Sequence, residues 1–453
     1  MESGRRRRAP HPKIVNNCDS FIFPQRMPTD ALAPAATSPG TFATLVIIAL
    51  LAHYFIERWL LNRHLAHVLA HRNAVPAPFD ASIPLADHQR AADYTLAKGQ
   101  LGKIEAAVGL MVTALILFGG LNRLWSLTEP LAGTPIAREV ALLALFSAVT
   151  GLISIPFSYY STFRIEEKFG FNKTSRATFW ADLVKGSLLS AALMLPLAAL
   201  VFWLMRSAGP LWWLYAWLVF ISFQLLMLAI YPTFIAPIFN KFSPLDAGDT
   251  RSAIEALLKR TEFTSNGLFV MDGSKRSAHG NAYFTGFGRA KRIVFFDTLL
   301  ERLSTSEIVA VLAHELGHFK RKHIVKRIMF LALASLAFMA ALAWVLPQPW
   351  LYTSFGFPPD TGAASPGVAL LLFSLVLPPL LFWVAPLASA YSRKHEFEAD
   401  SYAAEVASRD DLIAALTKLY KDNANTLTPD PIYSAYHHSH PPAMIRIAHL
   451  QRT

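Results

Sequence analysis

Seven stretches of this chain stay apolar over the roughly 20 residues a helix needs to cross the hydrocarbon core of a bilayer. They lie near 41–62, 104–126, 139–162, 186–206, 211–239, 324–347 and 368–391. The first is not a cleavable signal peptide, since it starts well inside the chain and runs into Glu57, Arg58 and Trp59 rather than small residues. Trp59, Trp125, Trp203, Trp212 and Trp350 stand near span ends, where interfacial anchors belong. The alternative, a set of buried core helices, applies most readily to 139–162.

Outside the spans the pattern changes. Residues 1–40 hold a basic run and then a Pro/Ala/Thr-rich segment, which predicts a disordered tail. Residues 41–239 group spans one to five with their loops, and the loop 63–103 is expected to be partly helical from Asp87 to Lys103. Hydropathy falls over 240–323, the first half of a soluble domain. Spans six and seven follow (324–391), and 392–453 supply the second half. Within the soluble part, Asp249–Arg260 reads as an amphipathic helix, and Leu268–Met271 and Arg292–Phe296 read as strands. Thr305 or Ser306 is placed to cap the next helix. Internal repeats and a Gly-rich phosphate loop are absent from the sequence.

Composition agrees with a membrane protein. Of 453 residues, 53% are hydrophobic and only 16% charged, against about a quarter charged in soluble domains. A single cysteine, Cys18, excludes an internal disulfide framework and a Cys-based zinc knuckle, so any metal must be held by His and carboxylates. The formal charge of +11 would suit nucleic acid or an anionic membrane surface, and its distribution favours the membrane. Lys and Arg crowd alternate loops: Arg63 to Lys103, Arg164 to Lys185, Lys241 to Lys322, and the tail from Arg393. The intervening loops are nearly bare, with Arg138 alone in one and neither Lys nor Arg over 348–367. The positive-inside tendency then places the soluble halves in the cytosol and the N-terminus opposite. Arg5 to Arg8 conflict with that placement, and a start at Met27 in place of Met1 would remove the conflict.

The candidate chemistry lies in His314-Glu315-Leu316-Gly317-His318. Histidines four apart share one helix face, so both imidazoles can reach one metal ion, and Glu315 can act as general base towards water. Ile308, Val309, Val311 and Leu312 would bury a face beneath that metal, and Gly317 leaves room for close packing. A zinc hydrolase needs a third protein ligand and a fourth position open to water or substrate. Glu396-Phe397-Glu398-Ala399-Asp400 offers it: Glu396 and Asp400 share a helix face, the first as ligand and the second to orient a ligand histidine. Glu398 would point away, towards solvent or a neighbouring helix. Two alternatives stay open here, a solvated acidic helix start stabilised by Arg393 and Lys394, and His395 as the third ligand.

With these residues in hand, the chain resembles the type I CAAX prenyl protease family, integral-membrane zinc endopeptidases that include the a-factor-converting and lamin-processing enzymes. The similarity runs from about residue 90 to 450. It includes Glu166-Glu167-Lys168-Phe169-Gly170-Phe171-Asn172-Lys173, Tyr231-Pro232, Ile238-Phe239-Asn240-Lys241-Phe242, Asn281-Ala282-Tyr283-Phe284, Lys291-Arg292-Ile293-Val294, His440-Pro441-Pro442 and Arg446. The resemblance implies a mainly α membrane protein, seven transmembrane helices enclosing a water-filled chamber, with a cytosolic gluzincin-like α+β zinc metalloprotease domain. It implies one Zn2+ per chain on His314, His318 and Glu396, with Glu315 as general base and acid. His440 would stabilise the oxyanion, and Arg446 with Asp400 would support the site. Asn281, Ala282 and Tyr283, beside an edge strand, would bind the extended substrate backbone. Read from the residues alone, Asn281 is also a turn residue and His440 one of several histidines at 437–440.

The expected partners are a peptide or protein substrate, lipidated or not, and the bilayer, with no nucleic acid and a monomeric state. The membrane would be a bacterial inner membrane or the endoplasmic reticulum, according to the source. Two other functions remain in view: a quality-control protease of the smaller HtpX type, and a non-enzymatic zinc-binding receptor or transporter. An intact Glu315 argues against the last, because holding a metal needs no base.

Overall fold

Among the described residues, seven helices are long and apolar enough to cross a membrane: Gly40–Ala70, Leu85–Leu127, Pro135–Glu166, Arg176–Ser207, Gly209–Phe239, His323–Val345 and Pro366–Val406. This is a computed structural model, and it describes residues 39–285 and 291–452. The expected disordered tail and the two candidate starts lie outside the described residues. Large apolar side chains stand open along the spans, for example Leu152 at 66% exposure and Leu188 at 66%. In water such a surface would be prohibitive, and against lipid tails it is ordinary.

Packing among the spans is concentrated at one end. Val46, Leu117, Leu142, Leu204, Trp212, Leu342, Val345, Val368, Leu372 and Phe373 come from all seven spans and form one buried cluster. These residues belong to the span ends remote from the His-Glu motif. There Glu139 is fully buried; its carboxylate accepts from Arg206 (2.8 Å), Ser365 Oγ (2.9 Å) and the Gly367 amide (2.8 Å). A buried carboxylate needs such partners, and these three tie spans three, four and seven together.

At the other end the spans outrun the expected boundaries. The first stays helical to Ala70 and the second begins at Leu85, so most of the expected loop 63–103 is helix. The seventh continues as Ala385–Val406, and the helix therefore passes straight through the expected boundary at 391/392.

The soluble part is built on a four-stranded sheet of β1 (Phe242–Pro244), β2 (Leu268–Met271), β3 (Ala282–Thr285) and β4 (Arg292–Phe296), in the order β1-β2-β4-β3. β2 and β4 pair in parallel, the other two pairs are antiparallel, and β3 is an edge. The continuous apolar run of β4 follows from its interior position, with Ile293, Val294 and Phe295 all buried. Against the sheet lie α1 (Asp249–Arg260), as its periodicity predicts, and α2 (Thr305–Lys320). The C-terminal segment adds α3 (Ala385–Val406), α4 (Arg409–Asp422), α5 (Pro431–His437) and α6 (Ala443–Leu450). Ile254, Leu257, Phe295, Ile308, Leu312, Leu316, Tyr402, Leu412 and Leu450 form the common core. The cap of α2 is Ser304, rather than Thr305 or Ser306. Its hydroxyl accepts from the Glu307 amide (3.4 Å) while Glu307 accepts from the Ser304 amide (2.7 Å), a reciprocal capping box.

Candidate metal centre

Two helices make the site. α2 carries His314, Glu315 and His318, and α3 carries Glu396 and Asp400. They can approach closely because position 317 has no side chain. A Cβ on Gly317 would lie 2.9 Å from Ala399 Cα and 3.0 Å from its carbonyl oxygen. The expectation that Gly317 makes room is met, and Ala399 is what it makes room for.

Ligand atoms of His314, His318 and Glu396 lie within 4.8 Å of one another, the separation one metal ion can bridge. His314 Nε2 and His318 Nε2 face each other at 3.3 Å, and the Glu396 oxygens approach them at 3.5 and 3.4 Å. Glu396 is 3% exposed, and its buried Oε2 makes no well-aligned hydrogen bond. Converging imidazole nitrogens facing a buried carboxylate call for a shared cation, and this donor set suits zinc. His314 sits between opposing influences. Burial and Arg446 act to lower its pKa, but Asp400 and Glu396 outweigh them and raise it to about 9.

Behind His314, Asp400 Oδ1 lies 2.8 Å from Nδ1, and Arg446 grips the same carboxylate through Nε (2.8 Å) and Nη2 (2.5 Å). His440 Nδ1 reaches Glu396 Oε2 at 2.8 Å while the side chain stays 65% exposed, so it borders the site and faces outwards. Its neighbours are engaged elsewhere: His437 with Glu57 (3.2 Å), and His438 with Ser434 Oγ (3.0 Å). Arg393 donates to the His438 carbonyl (2.8 Å) and so fixes the turn that presents His440.

Asn281 is exposed, directly before the free edge of β3, and its side-chain oxygen accepts from the Ala282 amide (2.8 Å). Ala282 and Tyr283 open that edge strand. The segment leading to Asn281 is pinned by the loop after the third span. Ala278 donates to the Phe171 carbonyl (3.0 Å), Lys173 donates to the Arg276 carbonyl (3.1 Å), and Asn172 bridges Ser277.

His395 is not in the ligand group. Its ring stacks on His323 at 3.9 Å, and sequence reasoning missed His323 entirely. Glu398 turns from the cluster to a helix neighbour, lying 2.9 Å from His323 Nε2. A third histidine, five residues after His318 and directly beyond Phe319-Lys320-Arg321-Lys322, was the available signal.

Comparison with known proteins agrees with this geometry. The family described as CAAX prenyl protease N-terminal, five membrane helices, matches residues 64–241, and peptidase family M48 matches residues 244–453. CAAX prenyl protease 1 homolog of Arabidopsis thaliana is 36% identical over 90% of this chain and 96% of its own length. CAAX prenyl protease 1 of Saccharomyces cerevisiae is 38% identical over 70% of this chain and 72% of its own. The crystal structure of S. mikatae Ste24p superposes with a TM-score of 0.82 at 32% identity, covering 90% of this chain and 98% of that one.

Proposed function

We propose, since this chain belongs to peptidase family M48 and is an integral-membrane metalloendopeptidase of the CAAX prenyl protease 1 kind, that His314, His318 and Glu396 hold a single zinc ion. The observation that carries this reading is the convergence of those three ligand sets on one point beside Glu315. Bound there, zinc supplies Lewis acidity at the scissile carbonyl and acidifies water at the position the protein leaves open.

The chain's own residues do the rest. Glu315, half-buried between the two histidines, takes a proton from the attacking water and returns it to the leaving amine. His440 donates to the oxygen of the scissile carbonyl as negative charge develops there. Asp400, locked by Arg446, keeps His314 in the tautomer whose Nε2 is free to bind metal. The β3 edge, entered at Asn281, accepts the substrate as an added strand, main chain to main chain, with Ala282 and Tyr283 flanking it.

The substrate is a peptide or protein delivered from the membrane on the cytosolic side and cleaved near its C-terminus, with the chain acting as a monomer; the relatives' name, CAAX prenyl protease, supports the substrate class. The charge alternation of the loops supports the cytosolic placement. A water-filled chamber between the spans is supported by their packing: they cluster at the end remote from the metal, and little of the apolar stretch of each is buried, 6–17% in spans one to six.

The test is cleavage of paired farnesylated and unmodified C-terminal peptides by the detergent-solubilised full chain. Wild type is expected to cleave, and a zinc chelator to stop it. Glu315→Gln should retain zinc and lose hydrolysis by several orders of magnitude. Undiminished activity in that variant with zinc bound would sink the assignment.

A further inference from the structure

His314 and His318 are supported in different ways. The first has a carboxylate directly on its Nδ1. The second has another imidazole there: His318 Nδ1 lies 3.0 Å from His323 Nδ1, and His323 Nε2 lies 2.9 Å from Glu398 Oε2. His323 is 4% exposed and sandwiched by contact with His395, ring centroids 3.9 Å apart and planes 11° from parallel.

From this geometry we infer that His323 and Glu398 are positioning residues for His318, a carboxylate–imidazole relay that sets which nitrogen of His318 binds the metal. The inference rests on the zinc reading above. If His318 binds through Nε2, its Nδ1 must carry a proton and needs an acceptor. The only nitrogen that His323 can offer is an unprotonated Nδ1, so His323 must carry its own proton on Nε2. That proton points at the Glu398 carboxylate, the one group in the chain of contacts that can only accept. One arrangement of protons satisfies every atom in the line, and it is the one that leaves His318 Nε2 free. Without Glu398 the His323 ring has no preference, and half the arrangements would turn an N–H against an N–H.

The local backbone is shaped to make this contact. α2 ends at Lys320, and Lys322 adopts the left-handed conformation (φ 58°) before the sixth span starts at His323. That conformation is uncommon for a residue with a side chain, and here it folds the sixth span back so that its first residue sits beneath His318. Glu398 comes from α3, two residues after the ligand Glu396, on a different helix face. The relay therefore links α2, the sixth span and α3 at one ligand.

Three variants separate the parts of the relay. His323→Phe keeps an aromatic ring to stack on His395 and removes the acceptor, whereas His323→Asn returns an acceptor oxygen close to the lost Nδ1. Glu398→Leu leaves His323 in place. Zinc affinity is read on the purified full chain by competition with a chromophoric chelator, and the ligand field by the visible absorption of the cobalt-substituted protein. His323→Phe is expected to weaken zinc roughly ten- to a hundredfold, with altered cobalt bands, and His323→Asn to recover to within about threefold of wild type. Glu398→Leu should fall between them. Wild-type zinc affinity and an unchanged cobalt spectrum in Glu398→Leu, or in a folded His323→Phe, would overturn the relay. Failure of the wild-type chain to bind zinc, or full retention of zinc by His318→Ala, would instead overturn the metal reading beneath it.

Discussion

Asp400 and Arg446 form a bidentate ion pair with almost no exposure to solvent, directly behind His314. Removing two charges from water is costly, and the pair holds because both hydrogen bonds are made and His314 takes up the remaining valence of Asp400. Its consequence is rigidity at His314, with α6 fastened to α3 from the far side of the candidate site.

Breaking that pair from one side should be severe. Arg446→Met leaves Asp400 buried without its cation, and a loss of about 3–5 kcal/mol of stability is expected. Differential scanning of the purified protein should show a fall in Tm of several degrees. Asp400→Asn keeps size and one acceptor, and its larger effect should be on zinc affinity, lowered roughly tenfold or more.

Gly317 faces the backbone of Ala399 rather than a movable side chain, so Gly317→Ala cannot be absorbed locally. Adding the methyl group must push α2 from α3, and overpacking of this kind costs about 1–3 kcal/mol. The same displacement separates Glu396 from the two histidines. Zinc retention measured by metal analysis after dialysis should fall together with Tm; an unchanged zinc content would show that the helices have room to spare.

Ser304 and Glu307 close the first turn of α2, so the metal helix inherits their stability. Ser304→Ala is expected to cost about 1 kcal/mol. Glu307 also makes the site's support sensitive to acid. Burial pushes its carboxyl up, but the Lys418 ammonium (2.7 Å) and the Ser304 amide outweigh burial and hold it below the ordinary value of 4.5. A lowered folded pKa gives stabilisation that is present above the unfolded value and is lost as pH falls through the folded one. Glu307→Gln should therefore lie below wild type in Tm near neutral pH, and the two curves should converge in acid beneath the carboxylate range. A gap that persists there would mean the loss is one of shape and not of charge.

What the sequence displays and what it hides divide along physical lines. Asp249–Arg260 is legible because an exposed amphipathic helix must repeat its apolar positions, and Arg292–Phe296 because a central strand is buried on both faces. The spans are legible because lipid tolerates little else. Their ends are not, since a helix that leaves the membrane into a soluble domain, as at Leu85 or Val406, keeps its hydrogen bonds and needs no stop signal. β1 and β3 are short edge strands without the continuous apolar run that marks the interior strands β2 and β4. At the site, His314 and His318 announce themselves by their spacing on one helix, and Glu396 with Asp400 by the same spacing on another. His323 does not, because its place beneath His318 comes from a turn through the left-handed region at Lys322.

Arg276 offers the most direct test of how the membrane spans serve the edge proposed to receive substrate. Its guanidinium binds Asp182 of the fourth span through Nε (2.8 Å) and Nη2 (3.1 Å), and Asn240 Oδ1 through Nη1 (2.9 Å). Its own carbonyl accepts from Lys173 (3.1 Å) and Thr174 Oγ1 (3.0 Å). Five residues later the chain reaches Asn281 and the open edge of β3. Arg276→Gln keeps the main-chain contacts and removes the ion pair, so the fold should survive while the approach to β3 loosens. Looser ordering is a cost of binding, common to ground and transition states, and it should appear in KM with kcat little changed. A loss of about 1 kcal/mol of ordering corresponds to roughly a fivefold rise in KM. Steady-state cleavage of a peptide long enough to pair with β3 should show that rise. A fall in kcat at constant KM would place the effect of Arg276 at the metal instead of the edge strand.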